Sequence, residues 1–250
     1  MYNPRNNGPF GGGPFGGRRG NQYAYQYQTL PYGMVSSEAG GLVSKVMALL
    51  AASFLVATVG AFIGVSMVPL STGGYFFIAI AGLIVLFALQ FMINRPGINL
   101  FLLFLFTFLE GLALSPLITI YLMAGAGNLL GEAFLLTAGT SAGLAIYAWT
   151  TKRSFARLGD YLFFGLILLI VALIINIFFH STLFVLLIAM FGVAIFSGYV
   201  LYYVQRAKYL ADTLPNAIGL TVSLFITLLN LFQYILIILS IAQGGRGSRR

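Results

Sequence analysis

INLFLLFLFTFLEGLALSPLITIYLM, residues 98–123, is an unbroken apolar run carrying one charge, Glu110, near its middle. About 20 apolar residues in helical form cross the roughly 30 Å hydrocarbon core of a bilayer. The run therefore reads as a transmembrane helix. At the centre of such a helix an ionised carboxylate costs roughly 2.5–3.5 kcal/mol on insertion scales. Glu110 is expected to be protonated, paired or turned toward a wet cavity, and each of these is a functional clue.

The rest of the chain agrees with that reading. Of its 250 residues, 60% are hydrophobic and only 7% charged, too few charges to cover so apolar a core in water. The expected fold is an all-α membrane protein, a bundle of seven transmembrane helices with a disordered Gly-rich N-terminal tail. The spans read as about Leu42–Val68, Gly74–Ile93, Ile98–Met123, Gly131–Thr150, Tyr161–Phe179, Thr182–Tyr203 and Ala217–Ala242. Turn chemistry separates them at 69–74 (PLSTGG), 94–97 (NRPG) and 124–128 (AGAGN), with the charged TKRSFAR at 151–157 and a brief break around His180. Short connections make successive spans antiparallel neighbours. Membrane β-strands would alternate, and these runs do not.

Basic residues set the expected orientation. Arg5, Arg18, Arg19, Lys45, Arg95, Lys152, Arg153, Arg157, Arg206 and Lys208 all fall on one side of a seven-span chain. The positive-inside rule puts that side, and the N-terminus, in the cytoplasm. Arg246, Arg249 and Arg250 make the other end basic too, which a re-entrant seventh span would explain. The net charge of +8 is matched by topology and anionic lipid headgroups, and its scatter over loops argues against nucleic acid as a partner. Residues 1–40, with the repeat GPFGG at 8–12 and 13–17, form a Gly-, Pro- and aromatic-rich segment unable to offset its ordering entropy. No secretory apolar region opens the chain, so a cytoplasmic tail is expected. The domains are then a tail over 1–40, the transmembrane domain over 41–243 and a short basic tail over 244–250.

Polar residues within the spans are the candidates for chemistry. Thr107, Glu110, Gly111 and Ser115 share a face of the third span, and Ser223, Thr227, Asn230 and Tyr234 form a stripe on the seventh. Gly198, Tyr202 and Gln205 line one side of the sixth, with Tyr199 and Tyr203 beside them. Small and hydroxyl residues commonly serve only close helix packing, whereas a carboxylate is a costly way to join helices. The sequence GTSAG at 139–143 matches a nucleophile pattern, but the one histidine, His180, lies toward the opposite membrane face. With no cysteine, one histidine and no paired carboxylates within a span, metal-dependent hydrolysis also fails, and no enzyme is expected. No cofactor is expected either.

FTFLEGLALSP (106–116), EAFLLTA (132–138), TTKRSFARLG (150–159), IFSGYVLY (195–202) and LLNLFQYIL (228–236) together resemble the Bax inhibitor-1 family of seven-helix membrane proteins, over roughly Leu42–Ser240. The resemblance implies a pH-sensitive calcium leak through the bundle, with bacterial members in the plasma membrane. It also implies, for some members, modulation of a membrane-bound ATP-dependent protease. Family members carry two gating aspartates, one on the sixth span and one on the seventh. Here Tyr203 and Thr227 stand at those positions.

Two close carboxylates share a proton and titrate as a pair, which makes a pH latch. Tyr203 and Thr227 do not ionise at physiological pH, so that latch is expected to be missing. The chain then resembles a divergent member in which Glu110 is the main titrating group within the membrane. On this reading Glu110 supplies the charge of an ion pathway and a weak calcium site, and Asn230, Gln205 and Thr227 add neutral oxygens. The alternative is a non-conducting membrane regulator acting on a partner such as the protease.

Overall fold

The computed structural model describes residues 38–66, 72–179 and 181–247. The tail expected over 1–40 lies outside them apart from its last three residues, which already belong to the first helix. The first half of the break at 69–74, His180 and residues 248–250 lie outside as well. Seven helices follow in order: α1 (Glu38–Ser66), α2 (Thr72–Met92), α3 (Ile98–Met123), α4 (Gly127–Thr150), α5 (Leu158–Phe179), α6 (Thr182–Ala207) and α7 (Leu214–Gly247). No strand occurs among the described residues. Among the described residues six helices are long and apolar enough to cross a membrane, and the apolar part described for α2, Phe77–Met92, is shorter. The chain is a multi-pass membrane protein.

The helices overrun several of the spans read from apolarity. α4 starts at Gly127 rather than Gly131, α6 ends at Ala207 rather than Tyr203, and α7 runs to Gly247, into the expected basic tail. Apolar composition marks only the part in hydrocarbon, while helical hydrogen bonding continues until a breaker ends it. α7 is one unbroken helix of 34 residues, so it offers no break at which a re-entrant segment could turn.

Contacts divide the described residues into two units. The first contains α1, α2, α3, the segment from Ala207 and α7 as far as Phe225. Here α1 and α3 run parallel and close. A Cβ at Gly60 would press on the backbone carbonyl of Phe108, one at Gly64 on the side chain of Ser115, and one at Gly111 on the carbonyl of Ala57. Small residues at matched heights let the two backbones meet, which in lipid replaces the missing hydrophobic drive. Phe225 of α7 packs against this pair, its ring centroid 5.0 Å from Phe54 and 6.1 Å from Phe106.

Local polar chemistry finishes the elements of this unit. Gly97, with φ 82°, takes the left-handed conformation that turns α2 into α3. Asn99 donates from Nδ2 to the carbonyl of Ile93 at 2.8 Å and so closes the same turn. Pro116 lies inside α3 and has no N–H for the carbonyl of Leu112, four residues back. The Ser115 hydroxyl donates to that carbonyl at 2.7 Å and supplies the missing bond. Lys45 of α1 pairs with Asp212 at 3.0 Å. Thr213 caps α7, accepting from Asn216 N–H at 3.4 Å.

The second unit contains α4, α5, α6 to Arg206 and α7 from Ile226. Its core gathers Leu162, Leu169, Ile188, Ile195, Phe196 and Leu231. α5 approaches α6 where Gly165 meets Ile195 and Gly198 meets Leu162, and Gly192 of α6 lies against the ring of Tyr234 of α7.

Candidate functional site

Glu110 sits twelve residues into α3, or about 18 Å from its start at the helical rise. The contact with α1 decides where it points. Gly111, Thr107 and Ser115 are buried, and the Gly111 contact with Ala57 turns that face of α3 onto α1. Glu110, one residue away and about 100° around the helix, then faces α2. There a Cβ on Gly82 would lie 3.3 Å from Glu110 Oε1. Glycine at this position leaves room for the carboxylate between the helices.

Among the described residues the Glu110 carboxylate has no hydrogen-bond or ion-pair partner. Its neighbours explain why. Thr107 donates to the carbonyl of Phe104 at 3.1 Å and Ser115 to that of Leu112. Both hydroxyls are spent on the backbone of their own helix. No group of three or more His, Cys, Asp or Glu occurs among the described residues. A cation here would meet a single carboxylate, a weak site for calcium, which takes six to eight oxygens.

The other candidates fall in the second unit. Tyr203 belongs to an aromatic run on α6: its ring stacks on Tyr199 at 5.6 Å and meets Tyr202 edge-on at 5.3 Å. Phe196 extends the run, 6.2 Å from Tyr199 and 5.8 Å from Tyr234 of α7. Thr227 is buried on α7. Asn230, one turn on, is half-buried and donates from Nδ2 to the carbonyl of Ile226 at 2.8 Å. Gln205 is occupied at both ends of its amide. Its oxygen accepts from the Phe155 N–H, and its Nε2 donates to the Arg153 carbonyl at 2.6 Å. It braces the α4–α5 loop before it does anything else.

Sequence reasoning did not find Gly82 as the residue opposite Glu110, nor Gln205 as a loop brace. A lone glycine within an apolar helix is the one signal Gly82 gives, and it does not name a partner. For Gln205 the signal was absent, because the amide reads the same whether it faces an ion or a backbone.

A family profile described as Inhibitor of apoptosis-promoting Bax1 matches residues 40–244. An uncharacterized protein of Campylobacter jejuni is 36% identical over 209 residues, covering 79% of this chain and 90% of that protein. An uncharacterized membrane protein of Vibrio cholerae is 37% identical over 142 residues, 56% of this chain and 63% of that one. Protein lifeguard 4 of Mus musculus is 32% identical over 158 residues, 63% of this chain and 64% of that one.

Proposed function

We propose, from the premise that this chain belongs to the Bax inhibitor-1 family, that it is a weakly selective cation leak, calcium included, whose pathway passes Glu110. One observation carries the reading: a carboxylate in the middle of α3, set in the room left by Gly82, with no partner among the described residues. A carboxylate held this way in hydrocarbon needs a proton, water or a cation from outside the helices. Gln205 is left to the loop, where its amide is engaged.

The protein sits in the plasma membrane on this reading, with the N-terminus in the cytoplasm, as the basic residues favour. A single carboxylate gives poor selectivity, so calcium passes as one cation among several. Tyr203 and Thr227 in place of the aspartates leave no coupled carboxylate pair to latch the pathway.

A second reading rests on the aromatic run. Tyr203, stacked on Tyr199 and edge-on to Tyr202, is bulky and uncharged, which suits a non-conducting protein that regulates a membrane-bound ATP-dependent protease. Calcium-dye liposomes holding the purified protein separate the two. Flux in the wild type that is lost in Glu110→Gln supports the leak. Wild-type liposomes no leakier than empty ones refute it and direct the search to a copurifying protease.

A further inference from the structure

We infer that the loop joining α4 to α5 is a binding site for the phosphodiester headgroup of an anionic phospholipid. The inference is independent of conduction past Glu110. The loop carries Lys152, Arg153 and Arg157, all exposed, and none has an ion-pair partner among the described residues. One carboxylate lies nearby, Asp160 in the first turn of α5. Three cations therefore stand against one acid at the ends of two apolar helices.

The scatter of basic residues expected of any membrane loop does not explain how this one is held. Gln205 of α6 grips it at two points of the backbone, the Phe155 N–H and the Arg153 carbonyl. Thr151 Oγ1 accepts from Arg153 N–H at 3.3 Å, and Ser154 Oγ from Ala156 N–H at 3.4 Å. The ring of Phe155 lies 6.2 Å from that of Tyr147. Where α5 begins, Gly159 lies against the ring of Tyr202, whose hydroxyl accepts from Arg206 at 3.1 Å.

The backbone between the three cations is thus fixed from α6, while their side chains stay free to reach outward. Fixing the backbone in advance lowers the ordering cost of binding. Arginine forks suit phosphate oxygens, and lysine adds a point charge. Trp149 and Tyr161 are exposed at the helix ends on either side of the loop, as residues that settle at headgroup level are. That placement selects a lipid phosphate over a soluble one.

Native mass spectrometry of the full chain in neutral detergent tests this, titrating phosphatidylglycerol against phosphatidylcholine. At about fivefold per basic residue, phosphatidylglycerol should bind the wild type at least about tenfold more tightly. The variant Lys152→Gln, Arg153→Gln, Arg157→Gln should bring the two lipids level. Gln205→Leu keeps every cation and should weaken phosphatidylglycerol severalfold; Gln205→Asn replaces it if the leucine variant is not monodisperse. Equal binding of the two lipids by the wild type overturns the inference and leaves the loop to a protein partner. Wild-type affinity in the Gln205 variant overturns the built site in favour of diffuse charge. Displacement of the lipid by millimolar inorganic phosphate overturns the choice of a lipid source.

Discussion

Gly111→Ala should disrupt the first unit far beyond what one methyl group suggests. The added Cβ would overlap the backbone carbonyl of Ala57, which the helical hydrogen bonds of α1 hold in place. Ordinary contact lies near 3.5 Å, so the two helices must part or rotate along their shared face. Overpacking costs typically about 1–3 kcal/mol, and a backbone obstacle puts this case at the upper end, about 3 kcal/mol. At about 2–4 °C per kcal/mol for a chain of this size, the midpoint of thermal unfolding in detergent should fall by about 6–12 °C. Gly139→Ala is the matched control, because nothing lies within 4 Å of its Cβ position. Its stability should stay unchanged or rise, by up to about 1 kcal/mol, since alanine is the better helix former. Differential scanning fluorimetry on the monodisperse proteins reads both. Equal midpoints for the two variants would refute the close α1–α3 contact, and with it the rotation of α3 that aims Glu110 at α2.

Two further variants probe the same helix. Ser115→Ala leaves the Leu112 carbonyl without its donor and should cost about 1–3 kcal/mol; in a Pro116→Ala background, which restores the N–H, that loss should vanish, and a loss that persists by thermal unfolding would show the hydroxyl acts otherwise. Gly82→Ala puts a methyl 3.3 Å from Glu110 Oε1, so the carboxylate must shift by a few tenths of an ångström. Liposome flux should fall in this variant with its elution volume unchanged, and an unaltered flux would separate the leak from the space beside Glu110.

Ile98–Met123 was legible to the residue, because NRPG before it and AGAGN after it are strong breakers at both ends. α4 and α7 were read short for the opposite reason: Gly127–Asn128 and the Gln243–Gly247 end carry loop-like residues that are still helical. Gly60, Gly64 and Gly111 are visible as small residues in apolar runs, yet their partners are not, since lipid-phase packing is decided by shape at matched heights. The family followed from polar punctuation recurring in order, such as the Glu110-Gly111 pair and TTKRSFARLG, and the profile match over residues 40–244 spans those stretches.

Glu110 and Gln205 are both polar residues within apolar helices, and the backbone explains why they differ. A helix in hydrocarbon spends every mid-span N–H on its own carbonyls, while each carbonyl keeps a second lone pair. A donor can therefore be satisfied at home: Thr137 bonds the carbonyl of Ala133, Thr221 that of Ala217, and Asn230 that of Ile226. Gln205 lies at the end of α6, where a loop offers free N–H and C=O groups, and it takes one of each. An ionised carboxylate only accepts, and mid-helix there is no N–H left to give. Among the described residues, Glu110 is a mid-span carboxylate that its own helix cannot satisfy. The chemistry proposed for this protein starts from that deficit.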